Sequence, residues 1–156
     1  MNEKFITETH FTKKNCRDFV NYVNIHRQIW VYLLVLVLIS ALEYNNNHSW
    51  ERVLMFIVAM VIMYFFSSFI SSLILVKRNG NSLKLRFYER HMYVETDNNR
   101  EKITYETINK LVERDDYFYL FFTKHRGAFI IEKKGFSKGN IAKFSDFINE
   151  HIPKKK

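Results

Sequence analysis

The sequence predicts an α+β membrane protein: an N-terminal amphipathic segment, an antiparallel two-helix transmembrane hairpin, and a C-terminal antiparallel β-barrel-like domain closed by one α-helix. Three observations carry that prediction. Residues 53–76, VLMFIVAMVIMYFFSSFISSLILV, form 24 consecutive positions without a formal charge. A shorter apolar run, IWVYLLVLVLISAL at residues 29–42, precedes it across the polar connector EYNNNHSWER. Behind Lys77-Arg78 the pattern changes to short alternating stretches separated by polar turns, and it ends in an amphipathic helix. The expected boundaries are 1–28 for the N-terminal segment, 29–76 for the hairpin, with spans at about 28–44 and 53–76, and 80–153 for the domain.

Composition limits the alternatives. The mean hydropathy of −0.22 averages two apolar spans with a charged remainder. Four Gly and one Pro exclude collagenous and linker-rich designs, and 15 Phe with 9 Tyr supply aromatic surface that a disordered chain lacks. The single cysteine, Cys16, excludes an intramolecular disulfide and a cysteine-based zinc site, which fits a reducing compartment.

In chain order, Phe5-Ile6-Thr7 is expected as a short strand and Thr12 as the N-cap of a helix beginning KKNCRDFVNYVNIHRQ. Phe19, Tyr22, Val23 and Trp30 form one apolar stripe, with Lys13, Lys14, Arg17 and Arg27 on the other side. Such a helix either lies on a bilayer surface, apolar edge down, or packs on a folded domain. It can also continue into the first span. That span of 14 residues is short against the ~17–25 a crossing requires, so Gln28 and Tyr44 extend it at the interfaces. The second span reaches about 36 Å as a helix, enough to cross a ~30 Å hydrocarbon core with tilt. The connector is too short for a domain, which makes the pair an antiparallel hairpin. Trp30 marks one end, and Tyr44 and Trp50 the other, as aromatic belts do. Five Lys/Arg precede the first span, one lies in the connector and eighteen follow the second. The positive-inside bias therefore sets both termini in the cytoplasm of an inner (plasma) membrane.

Within the second span, Ser67 and Ser71 share one helical face and Ser68 and Ser72 the next, a candidate packing surface for the start of the first span or for a second copy. Neither span contains Asp, Glu, Lys, Arg or His, which argues against a pump or coupled transporter.

Asn79-Gly80 ends the second helix. SLKLRFY at 82–88 then alternates Leu83, Leu85 and Phe87 against Lys84, Arg86 and Tyr88, the period of a strand with one buried face. Strands are expected at 91–96, 102–105, 111–114, 117–123 and 128–132, with turns at Glu89-Arg90, Asp97-Asn98-Asn99, Asp115-Asp116 and Lys124 to Gly127. The closing helix runs from about Ser137 or Lys138 to His151, with Ile141, Phe144 and Ile148 on one face and Phe147 beside them. Strands followed by one such helix suggest a curled sheet plugged by the helix, as in pleckstrin-homology-like barrels.

Taken together, the hairpin, LRFYERHMYVET at 85–96, ITYETINKLVERDDYFYLFF at 103–122, GAFIIEKKGF at 127–136 and the last helix resemble the YcxB-like membrane proteins, a bacterial family. The resemblance implies an amphipathic segment, a two-helix hairpin and a pleckstrin-homology-like domain. It implies no catalytic or binding residues. This sequence departs from it at Glu132, where a proline is expected.

The residues themselves offer no catalytic constellation: no Gly-rich phosphate loop, no H-E-x-x-H and no G-x-S-x-G. The six histidines are scattered, so no metal site, cofactor or enzymatic activity is expected. Electrostatics gives the functional lead, because 18 basic and 11 acidic residues follow Val76. Lys77, Arg78, Lys84 and Arg86 are the candidate contacts to anionic lipid headgroups, each worth ~1 kcal/mol near such a leaflet. The expected role is therefore binding, to membrane lipids, a partner protein or a second copy. A small oligomeric pore or pore regulator lined by Ser67, Ser68, Ser71 and Ser72 is the alternative. Nucleic acid is disfavoured, since Tyr117, Phe118, Tyr119 and Phe121 are expected to alternate mostly into a core rather than form a basic stacking face.

Overall fold

A computed structural model describes residues 2–47, 49–80, 82–96, 99–123 and 127–153. His48, the turn residues Asp97-Asn98 and Lys124 to Arg126, and the lysines of the C-terminal tail lie outside the described residues. The chain divides into two compact units. One is formed by the residues up to Thr12 together with those from Val76 onward, and the other spans Lys13–Leu75.

The Lys13–Leu75 unit is helical. Helix α1 (Lys13–Val23) passes through a π-helical stretch (Asn24–Gln28) directly into α2 (Ile29–Asn47), and α3 (Trp50–Asn79) returns. The amphipathic helix thus continues into the first apolar helix without a break. Asn46 and Arg78 bound the two stretches long and apolar enough to cross a membrane, which begin at Ile29 and Trp50. The helices run antiparallel. Tyr44 meets Trp50 at 4.8 Å, Glu43 meets Arg52 at 3.9 Å, and Tyr32 meets Tyr64 edge-on at 5.4 Å. Further along, Asn21 and Asn24 meet Ser68. With 30 residues, α3 is about 45 Å long, and it runs past α2 to lie along α1. This length decides what α1 does within the unit: it packs by its Asn21 side against α3. The face it buries is Cys16, Val20 and Asn24, at i, i+4 and i+8, while Phe19, Tyr22 and Val23 of the expected stripe are half-buried and Trp30 is exposed.

Among the described residues the sheet unit holds eight strands in two antiparallel sheets. Strand β1 (Phe5–His10), β2 (Ser82–Phe87), β3 (His91–Thr96), β4 (Asn99–Thr104) and β8 (Phe136–Lys138) make a five-stranded sheet in the order β4-β3-β2-β1-β8. Strands β5 (Ile108–Glu113), β6 (Tyr117–Phe122) and β7 (Ala128–Glu132) make a meander of three. The expected strands are present within a few residues; β8 is an addition. The barrel is not closed among the described residues. A 3-10 turn at Tyr105–Thr107 separates β4 from β5, and neither strand pairs with the other.

The first twelve residues also depart from the expected 1–28 segment. Strand β1 pairs with β2 over six rungs, from Phe5 opposite Phe87 to His10 opposite Ser82, and with β8 on its other side. Its alternation explains why: Phe5, Thr7 and Thr9 are buried, while Ile6, Glu8 and His10 are more open. Thr9 Oγ1 accepts the Glu132 N–H from β7, so β1 joins the two sheets.

Helix α4 (Ile141–His151) covers the core. Asn140 caps it, its Oδ1 accepting the Ala142 N–H at 3.0 Å. Phe144 and Ile148 are fully buried, Phe147 packs beside them, and Ile141 stays partly exposed in the first turn. The rings of Phe5, Phe87, Phe118 and Phe136 surround Phe144 at 5.0–5.3 Å. Such a cluster fixes the helix on the sheet through both area and ring geometry.

Candidate functional site

The outer face of the five-stranded sheet carries the ordered charges. On β2 the side chains of Leu83, Leu85 and Phe87 enter the core, which turns Lys84, Arg86 and Tyr88 outward. Arg86 lies between two carboxylates: one terminal nitrogen donates to Glu3 Oε1 at 2.9 Å, and Nε donates to Glu95 Oε2 at 3.2 Å. Tyr88 O–H donates to the same Glu3 oxygen at 3.0 Å. Arg100 pairs with the other Glu95 oxygen at 3.2 Å and lies over the Tyr93 ring at 4.5 Å. The hydrogen bond from Arg86, with that from Tyr88, holds the Glu3 carboxyl below its ordinary range, and Glu3 in turn raises Arg86.

This arrangement sorts the four expected headgroup contacts. Arg86 is engaged by both Glu3 and Glu95, which hold two of its five N–H donors. Lys84 stands opposite Glu8 on β1 and Glu95 on β3. Lys77 and Arg78 are exposed in the last turn of α3.

At the start of β3, His91 is almost fully buried, stacked on Tyr88 at 5.2 Å and edge-on to Tyr93 at 5.2 Å. Its Nε2 has no hydrogen-bond partner among the described residues. Burial, and secondarily the charge of Lys102, hold its pKa below the ordinary value. Beside β4, the end strand of the five-stranded sheet among the described residues, Glu101, Ile103, Phe122 and Phe129 line a cavity of about 200 Å³.

The serines of the helical unit divide by face. Ser68 and Ser72 are buried, while Ser67 and Ser71 are exposed. Ser68 O–H donates to Asn21 Oδ1 at 2.7 Å and accepts from Asn24 Nδ2 at 3.5 Å. Ser72 O–H returns to the Phe69 carbonyl at 2.7 Å. The partners of Ser68 therefore come from the helix preceding the first apolar span, one to three turns before the expected Trp30 and Leu33. A π-helical stretch opens at Asn24, a feature that rotates following side chains relative to preceding ones. Asn21 and Asn24, three residues apart, were the available signal for this contact.

No group of three His, Cys, Asp or Glu side chains able to hold a metal ion occurs among the described residues. Cys16 is fully buried, and burial pushes its thiol up to about 11, away from the reactive thiolate.

The comparisons with known proteins bear on the sheet unit. Residues 87–148, from the last residue of β2 into α4, match the family model described as YcxB-like protein. No curated protein and no solved structure matches the chain. The matched segment takes in β3 to β8 and the buried face of α4, and leaves out β1 and the helical unit. The likeness drawn from the sequence thus holds over this segment: residues 87–148 are similar to the YcxB-like proteins.

Proposed function

We propose that the chain is an integral protein of the inner membrane, crossing it twice, with both termini in the cytoplasm. On this reading the sheet unit is a pleckstrin-homology-like module held at the bilayer, and its role is binding rather than catalysis. One observation carries the reading, the inverted polarity of the helical unit. Every exposed large apolar side chain among the described residues, Ile141 excepted, lies between Ile25 and Ile74, whereas Asn15, Asn24, Ser68 and Ser72 are buried. Water would oppose that arrangement and lipid favours it. Pairing of β1 with β2 supports an even number of crossings, since the residues flanking the hairpin share one sheet.

Anionic headgroups are the favoured ligand. Lys77 and Arg78 close the apolar helix, where the headgroups of a leaflet come within the ~8–10 Å over which such charges act, and Lys84 follows six residues beyond Arg78. Reconstituted into nanodiscs, the protein is expected to shield its sheet unit from protease better with about 30 % phosphatidylserine than with phosphatidylcholine alone. That difference should shrink in high salt and in a Lys77→Ala, Arg78→Ala double variant. Equal protection in both lipids removes the headgroup reading. Recovery of the full chain in the supernatant after alkaline carbonate removes the membrane reading itself.

A second reading, an extended peptide of a partner protein, is favoured by the position of β4 at the end of its sheet among the described residues and by the cavity beside it. The pore alternative retains Ser67 and Ser71, because Ser68 and Ser72 face inward. It requires oligomers in mild detergent that disappear when Ser67 and Ser71 become leucine.

A further inference from the structure

We propose that the sheet unit is a strand acceptor, whose slot between β2 and β8 receives β1 as a separable donor. Its closure therefore requires the segments before and after the hairpin to lie on one side of the bilayer; this second half rests on the membrane reading above. The slot is shaped for β1. A side chain at Gly135 would strike the Glu8 carbonyl, and one at Gly139 would strike the Phe5 ring and the Lys4 carbonyl. Gly139 also holds a φ of 96°, which other residues rarely adopt.

Binding within the slot uses every kind of contact. Lys4 N–H donates to the Phe87 carbonyl at 2.8 Å, extending the β2 ladder beyond Phe5. Glu3 receives Arg86 and Tyr88. Phe5 enters the aromatic cluster around Phe144, and Thr9 takes the buried Glu132 N–H. Without β1, an edge of β2, an edge of β8 and that N–H all lose their partners, each a costly exposure or an unsatisfied group.

The chain order supplies the coupling. Strand β1 is made first, but both of its neighbours follow the second apolar helix. A chain in which only one helix crosses leaves the donor and its slot on opposite faces, with no path between them. The sheet unit then stays open although its own sequence is intact.

Three chains in membranes test this: the full chain, a variant lacking residues 2–11, and a variant lacking residues 29–47. The readout is protease cleavage between residues 82 and 153. Cleavage is expected to accelerate about tenfold or more in both deletion variants, as a local opening that costs less free energy predicts. A synthetic peptide of residues 2–12, added from the side of the sheet unit, should restore protection saturably in both, and the same peptide carrying Phe5→Asp should not. Equal resistance without the strand, or equal rescue by the two peptides, overturns the acceptor. A closed sheet unit in the variant lacking residues 29–47, alongside an open one in the strand deletion, overturns the topological half. Release of the full chain by alkaline carbonate overturns the membrane reading and the topological half with it, while the peptide comparison still decides the acceptor.

Discussion

The two units solve the same problem with opposite distributions of polarity. In the sheet unit Leu85, Phe87, Met92 and Phe144 are fully buried and the charges lie outside. In the helical unit Phe65, Met55 and Trp30 are two-thirds or more exposed, and asparagine and serine are buried along with Cys16, Val20 and Val53. Apolar area removed from water contributes ~25 cal/mol per Å² to a water-facing core. On the proposed membrane reading that term vanishes between the helices, and close packing with a few hydrogen bonds remains. The same residue type should therefore matter differently in the two units.

The sharpest contrast comes from one substitution made twice. Phe144→Ala removes a buried ring from a five-ring cluster and is expected to cost about 3–5 kcal/mol, whereas Phe66→Ala in the exposed face of α3 should change detergent-solubilised stability by less than about 0.5 kcal/mol. Hydrogen exchange within the sheet unit measures the first, and loss of Trp30 and Trp50 fluorescence change on denaturation follows the second. Similar effects at both positions would erase the distinction between the units.

Next in size is Gly135→Ala. The added methyl meets the Glu8 backbone, which cannot move without shifting β1, so a loss of about 1–3 kcal/mol is expected. It should appear as faster exchange in β1, β2 and β8 and leave the helical unit unchanged. Ser68→Ala is expected to be milder, about 0.6–1.7 kcal/mol, since it removes one interhelical hydrogen-bond centre. Its effect should be read from the denaturation of the helical unit, and Ser67→Ala, with its exposed side chain, serves as the matched control.

The smallest effect is pH-dependent and confined to the sheet unit. The folded state holds His91 below its ordinary value of 6.5, so the unfolded chain binds that proton more readily. The associated stability is complete above that ordinary value and is lost as pH falls towards the lowered one. Glu3, held below its ordinary 4.5 by Arg86, continues the loss in the same direction at lower pH. His91→Gln should flatten the fall in melting temperature between about pH 7 and about pH 5.5, and an unchanged slope would assign it to other groups.

Much of this architecture was legible locally. The charge-free run at 53–76 and the alternation of SLKLRFY needed only composition and period, and both gave elements close to those observed. The expected closure of the barrel did not follow, because pairing between β4 and β5 depends on a corner that the Tyr105–Thr107 turn holds apart. Non-local partnerships were hidden for the same reason. FITETH alternates, but its threonines do not announce a buried strand, and its partners stand more than 70 residues away. Arg86 looked free for a ligand because Glu3 lies 83 residues distant. The spacing of the serines correctly defined two faces, yet only Asn21 and Asn24 decide which of them turns inward.

Cys16 has a practical consequence. It is the chain's one cysteine, fully enclosed and with its proton held to about pH 11. At neutral pH roughly one such group in ten thousand is ionised, so maleimides should pass over the native protein. The molecule is in effect already a blank background for site-directed labelling: a reporter thiol introduced at Asn46, or behind Ile152, answers alone, and so tests the topology proposed above.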